Sequence, residues 1–261
     1  MIYIATHKEF DNPDLNNYIP LQVGAEGKKV LGYLTDNTGD NISEKNPNFC
    51  ELTGLYWIWK NCSDSYKGLA HYRRFFGKSN FSNNIKDIYP YQYLLKMTDK
   101  ADIVLPFIEV FKQNAKDELL MRCCTEEIFE ELEKIVKGKY PDYAQAFDTF
   151  FANNKSSLFN MMFCKKEIFD EYCEWLFDIL FELEKKVDLS ELDDYQKRLY
   201  GFLSERLLNI WVMKNKLIVN HVPVINVGMT ISDRITLIRR RNTNKIFWEI
   251  NKLGVRVNDI R

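Results

Sequence analysis

The sequence predicts an α/β protein: a mixed or mostly parallel sheet flanked by helices. Three observations carry this. The chain opens directly in an apolar, β-prone run, Ile2 to Thr6. Further short apolar runs follow at 66–70, 101–106, 160–164 and 219–227, separated by stretches of helical length. An aromatic helix over 46–60 feeds straight into the run at 66–70.

In order along the chain, Ile2 to Thr6 reads as the first strand, with Thr6-His7-Lys8 at its C-terminal end. A polar loop containing Asn12-Pro13 leads to Leu21-Gln22-Val23-Gly24, and T-D-N-T-G-D at 35–40 is a turn-rich loop. Asn46-Pro47 predicts a helix start, with Asn as N-cap and Pro at the first helical position. The helix from there to Lys60 is apolar on most sides, which predicts burial. Residues 101–106 predict a strand, and 112–150 predict helices divided at Gly138 and Pro141. N-M-M-F-C at 160–164 predicts a short strand. Phe169, Tyr172, Cys173, Leu176, Phe177, Leu180 and Leu183 keep helical spacing, and 201–213 predicts another helix. Val219 to Val227 predicts an edge strand around Pro223.

With 261 residues and 46% hydrophobic content, the chain can bury a sizeable core. Charged residues make up 28% with a formal net charge of -1, which argues against a globally basic nucleic-acid binder. The charge is uneven. Gly228 to Arg261 holds eight Lys or Arg against three Asp or Glu, net +5, leaving 28 against 34, net −6, for the remainder. This division predicts a main domain over 1–227 and a basic extension over 228–261, packed on the core or on a membrane surface. No basic-then-apolar leader and no spanning-length apolar run is visible, so a cytoplasmic location is expected. None of the six cysteines forms a C-x-x-C pair, which predicts reduced structural thiols.

The strongest chemical signal is His71-Tyr72-Arg73-Arg74, which follows the apolar run at 66–70. Ligands in open α/β sheets sit beyond the C-terminal strand ends. Paired arginines there suit a phosphate or diphosphate, because each guanidinium offers two parallel charge-assisted hydrogen bonds. A salt-bridged strand end is the plainer alternative. No Gly-rich phosphate loop and no G-x-S-x-G elbow occurs. Three histidines and the lack of a D-x-D pair after an apolar strand make a divalent-metal cofactor unexpected. Glu205 lies in an otherwise apolar helix and needs a partner there; it is either an ion pair with Arg206 or Arg198, or a pocket base.

The ordered set T-H-K at 6–8, Q-V-G-A at 22–25, N-I-S at 41–43, C-E-L-T-G-L-Y-W-I-W-K-N at 50–61, G-L-A-H-Y-R-R-F-F at 68–76, N-M at 160–161, Y-C-E-W-L-F at 172–177 and G-F-L-S-E-R-L at 201–207 resembles a bacterial family. These are the capsular and exopolysaccharide synthesis proteins, glycosyltransferase-like and long catalogued as a domain of unknown function. Relatives often carry a tyrosine and a histidine shortly after the strand matching 101–106; Phe111 to Leu120 contains neither.

The resemblance implies a GT-A-like nucleotide-sugar-binding domain. It would move a sugar, galactose or galactofuranose in some relatives, from a nucleoside-diphosphate donor, UDP-linked, to a polysaccharide repeat unit. Thr6, His7, Lys8, Val23, Gly24, Asp36, His71, Tyr72, Arg73 and Arg74 are then the donor-site candidates. Glu205 is the candidate general base, and Asn160 and Arg206 are acceptor candidates. The cations would replace a metal at the diphosphate, and the acceptor would be a glycan or lipid-linked glycan reached at the membrane surface. The rival is a non-catalytic nucleotide-sugar-binding scaffold or regulator of polysaccharide assembly.

Overall fold

The computed structural model describes residues 1–252, with side chains through 249; the end of the basic extension, 253–261, lies outside the described residues. In chain order the elements are β1 (Ile2–Thr6), β2 (Tyr18–Gln22), β3 (Leu34–Thr35), α1 (Asn46–Phe49), α2 (Leu52–Asn61), β4 (Tyr66–His71) and β5 (Arg74–Phe76). Next come α3 (Tyr91–Met97), β6 (Ile103–Pro106), β7 (Ile108–Val110), α4 (Ala115–Arg122), α5 (Glu126–Lys139), α6 (Ala144–Ala152), β8 (Lys155–Ser157) and β9 (Met162–Lys165). The chain continues through α7 (Lys166–Glu184), α8 (Leu199–Lys214), β10 (Val219–Val222), β11 (Val224–Asn226) and α9 (Ile231–Lys252).

The main sheet runs β10-β6-β9-β4-β1-β2-β3, with β5 and β11 paired at one end of β4. β1 lies parallel to both β2 and β4, whereas β9 runs antiparallel to β4 and β6. This is the mixed, mostly parallel sheet that the alternating runs predict. Side chains alternate across it. Tyr3, Ala5 and Leu69 join the core under α2, α7 and α8, whereas Ile2, Ile4 and Ala70 pack with Phe75, Phe76 and Phe163 on the other face. β10 occupies an edge, as Pro223 predicts. Lys67, inside β4, is fully buried and pairs with Asp170 at 2.7 Å.

Several boundaries differ from the sequence reading. The helix expected over 46–60 is broken at Cys50, whose φ of 52° is left-handed. Asn46 is not the N-cap, which is Lys45; its side chain instead braces the break, donating to the Cys50 carbonyl at 2.7 Å. The strand predicted from Asn160 starts at Met162, because Phe159 and Asn160 turn through left-handed φ of 79° and 51°. Pro141 does divide 112–150, but Gly138 does not, lying inside α5; a further break at 123–125 ends with Thr125 capping α5. The sequence reading does not assign β2, β3, β5, β7, β8, α3 or α9, and the single strand expected over 219–227 is two, β10 and β11, divided at Pro223. Among the described residues, no helix is long and apolar enough to cross a membrane.

Candidate active site

β4 delivers its last residue, His71, to the C-terminal edge of the sheet beside Ala5 of β1. A two-residue turn, Tyr72-Arg73, reverses the chain so that Arg74 pairs back onto His71. The Tyr72 amide is tied to the Ala5 carbonyl at 3.1 Å. The turn therefore has little freedom, and it projects its cations over the ends of the parallel strands.

The opposite wall comes from α1, the break at Cys50-Glu51 and α8. Gly54 lets α2 pass close under the end of β2, since a Cβ there would come within 2.7 Å of Val23. Gly24, at φ +60°, turns the chain just beyond. A cleft of about 560 Å³ opens between these elements, lined by His7, Val23, His71, Tyr72, Arg73, Arg74 and Glu205 from the sequence candidates. Glu51, Arg122, Tyr195 and Arg198 also line it; sequence reasoning gave these no ligand role.

Charge in the cleft is biased to the positive, with four arginines facing two glutamates. The buried Arg74 Nε has no hydrogen-bond partner, and among the described residues Arg74 makes no ion pair. Its guanidinium packs 4.6 Å from the centre of the Phe159 ring. Burial and the neighbouring Arg73 push its pKa down, while Glu51 and Glu205 oppose the shift. A half-buried cation without a counter-ion is expensive; an anion in the cleft would compensate it. Arg73 is exposed over the Tyr72 ring, and Tyr72 in turn packs edge-on against His7 at 5.3 Å.

His71 faces the Phe159 carbonyl through Nε2 at 2.6 Å. Burial, and then Arg74, depress its pKa against the opposing pull of Glu51, so the ring is neutral at pH 7. The carbonyl can only accept, which assigns the proton to Nε2 and leaves Nδ1 as an acceptor.

Glu205 lines the cleft and is also paired. One carboxylate oxygen accepts from the Phe159 amide at 2.8 Å and the other from Arg206 at 2.7 Å. Burial raises its pKa, with Arg206 opposing and Glu51 adding to the rise. Of the two partners suggested by sequence, Arg206 holds the carboxylate; Arg198 lines the same cleft but donates to Cys50 Sγ at 3.3 Å and does not pair with Glu205.

Six candidates are not among the lining residues. Thr6 is buried and contacts the Lys8 carbonyl. Lys8 is exposed, 5.2 Å from the Tyr72 ring centre. Gly24 shapes the turn. Asp36 is fully buried rather than presented from its loop; its oxygens take the Gly24 and Ala25 amides and the Ser43 hydroxyl, so it anchors that turn. Arg206 is 1% exposed and bridges Glu205 to Glu118. Asn160, 2% exposed, donates to Glu51 and the Gly201 carbonyl and accepts from Ser204. Neither acceptor candidate reaches the cleft: Asn160 is consumed in holding the wall, and Arg206, although its Nε has no hydrogen-bond partner, is buried behind Glu205. Among the described residues, no group of three His, Cys, Asp or Glu side chains is placed to hold a metal ion.

Comparison with known proteins gives two matches. The family described as "Domain of unknown function (DUF4422)" matches residues 1–216. Among solved structures, the WbbM bifunctional glycosyltransferase in its apo form superposes with a TM-score of 0.78 at 31% identity. The alignment covers 87% of this chain and 45% of that one, so this chain spans less than half of that protein's length. No curated protein matches it.

Proposed function

The chain belongs to the DUF4422 family, and from that membership and the cleft we propose that it is a glycosyltransferase using a nucleoside-diphosphate sugar. The observation that carries the reading is Arg74, a half-buried cation with no ion pair, beside Arg73 at the C-terminal end of β4. Likeness to a bifunctional glycosyltransferase supports it. In this reading the cleft is a GT-A-type donor site. Arg73 and Arg74 bind the diphosphate and stabilise charge on the departing nucleotide. Neutral His71 and Tyr72 shape the site, and His7 and Val23 flank the nucleotide. The donor is UDP-linked, with galactose or galactofuranose as the sugar, and the acceptor is a capsular or exopolysaccharide repeat unit on a lipid carrier at the inner membrane face.

Glu205 is the proposed base for the acceptor hydroxyl. Its Phe159 and Arg206 contacts fix the carboxylate, which a base needs. The cationic set supplies the charge that a divalent metal would otherwise bring.

The test is release of UDP from UDP-galactose and UDP-galactofuranose, followed with and without EDTA. Turnover that persists in EDTA is expected. Turnover abolished by EDTA and restored by Mn²⁺ would overturn the metal-free part. Binding of UDP with no release from any UDP-sugar, with or without a glycan acceptor, would favour the scaffold.

A further inference from the structure

A second and larger cleft, about 770 Å³, adjoins the first and shares Arg74, Arg122, Leu158, Phe159 and Tyr195 with it. Its walls come from β7, the second half of α4, β11 and the inner face of α9. We infer that this second cleft is the acceptor subsite, that it takes a neutral saccharide, and that α9 forms its outer wall. The inference rests on the donor reading of the first cleft and names the partner of that site.

The position argues first. Arg74 lines both clefts, so a diphosphate held by Arg74 would place its bond to the sugar near the junction. A hydroxyl arriving from the second cleft meets it there without crossing the donor. The lining argues next. Although several charges face the cleft, they largely neutralise one another. Glu109 is paired with Arg241 at 3.2 Å and Arg240 at 3.7 Å, and Arg122 with Glu118 at 2.6 Å. Asp233 is engaged by the Thr230 amide and hydroxyl. Besides Arg74 at the junction and Lys112, which lies 4.3 Å from the Phe247 ring centre, what remains is amide and aromatic: Asn80, Gln113, Asn226 and Asn244 beside Phe107 and Phe111. Amides that hydrogen-bond hydroxyls, next to rings that cover a sugar's C–H face, suit an uncharged polyol.

α9 is fixed in place rather than loosely apposed. Asn244 donates to the Val110 carbonyl at 2.9 Å, and Arg241 lies 4.0 Å from the Phe107 ring centre as well as on Glu109. β11 and α9 both lie beyond the residues matched to the family, 1–216. The outer wall of this cleft is therefore supplied by a part outside that shared region, while β7 and α4 within it supply the other side.

The experiment is NMR on the full chain, with a panel of methyl glycosides (galactoside, glucoside, rhamnoside, N-acetylglucosaminide) titrated with and without saturating UDP. At least one glycoside should bind and shift the side-chain amide signals of Asn226 and Asn244, whereas UDP alone should leave those two signals in place. Thr236→Trp and Met229→Trp, which each narrow the cleft from the α9 side, should weaken that glycoside about tenfold or more. Thr236 is exposed, so the larger ring there disturbs no packing. If UDP binds and no glycoside shifts these amides, or if both Trp variants bind the glycoside as wild type does, the inference falls and the donor reading stands. If a second equivalent of UDP shifts them, the cleft is an anion site and the inference falls too. Glycoside binding without any UDP binding would support the acceptor cleft and overturn the donor reading instead.

Discussion

Asn160 donates through Nδ2 to the Glu51 carboxylate at 2.7 Å, tying the turn before β9 to the start of α2 across 109 residues of sequence. Glu51 faces the cleft and Asn160 does not. The asparagine therefore acts on the site by positioning a carboxylate. The same amide reaches the Gly201 carbonyl at 2.9 Å and accepts from Ser204 at 2.7 Å, so one buried side chain joins β9, α2 and α8.

Replacing Asn160 with glycine separates its two contributions. Glycine keeps the left-handed backbone at no steric cost and loses all three side-chain bonds. The expected effect is a loss of about 1–3 kcal/mol in urea unfolding, from partners left unsatisfied in the interior. An Asn160→Gly protein as stable as wild type would show that water satisfies these groups and that the brace is dispensable.

Glu205→Gln keeps the shape of the side chain and removes its basicity. Turnover should fall by about 10²–10⁴-fold with UDP affinity nearly unchanged. Because burial raises the Glu205 pKa, the acid limb of the wild-type rate profile should lie above the ordinary carboxylate range, with activity lost as pH falls through it. Full turnover in Glu205→Gln would leave the residue as the structural partner of Arg206, and Glu51 would become the carboxylate to change next.

Much of this arrangement is legible in sequence and some is not. The periodic runs are: β1 appears at 2–6 as predicted, and the 169–183 spacing lies within α7. Chain-local features around His71 to Arg74 are legible too, because an apolar strand ending in cations signals a site by itself. The break at Cys50 has no local cue, since neither glycine nor proline marks it. Glu51 and Tyr195 were missed because their place in the cleft depends on contacts distant in sequence. Asp36 misled for the opposite reason. Aspartate in a turn usually faces solvent, and here the turn folds over it.

The outer face of α9 carries Ile231, Ile235, Ile238 and Ile246, between 41% and 71% exposed, with the exposed Arg239 and Lys245 nearby. An apolar stripe with basic flanks suits an anionic lipid surface, at about 1 kcal/mol per basic residue. Full-length protein should sediment with anionic vesicles, less so in high salt, and Ile235→Ser with Arg239→Glu should reduce the bound fraction. Arg241 is a poor choice for charge reversal, because its pairing with Glu109 docks the helix. Equal recovery in the supernatant for both proteins at low salt would make α9 a structural wall only.

The central claim is that Arg73 and Arg74 meet a nucleotide diphosphate, and nucleotide-dependent melting of wild type, Arg73→Ala and Arg74→Ala tests it most directly. At about a hundredfold excess over Kd, a ligand specific to the folded state adds about 2.7 kcal/mol, or roughly 5–10 °C for a chain of this size. The account predicts that UDP raises the melting temperature of wild type by that amount, that UMP and uridine do much less, and that either alanine variant folds but loses most of the UDP shift. A UDP shift of the same size in both folded variants, or none in wild type, would contradict it.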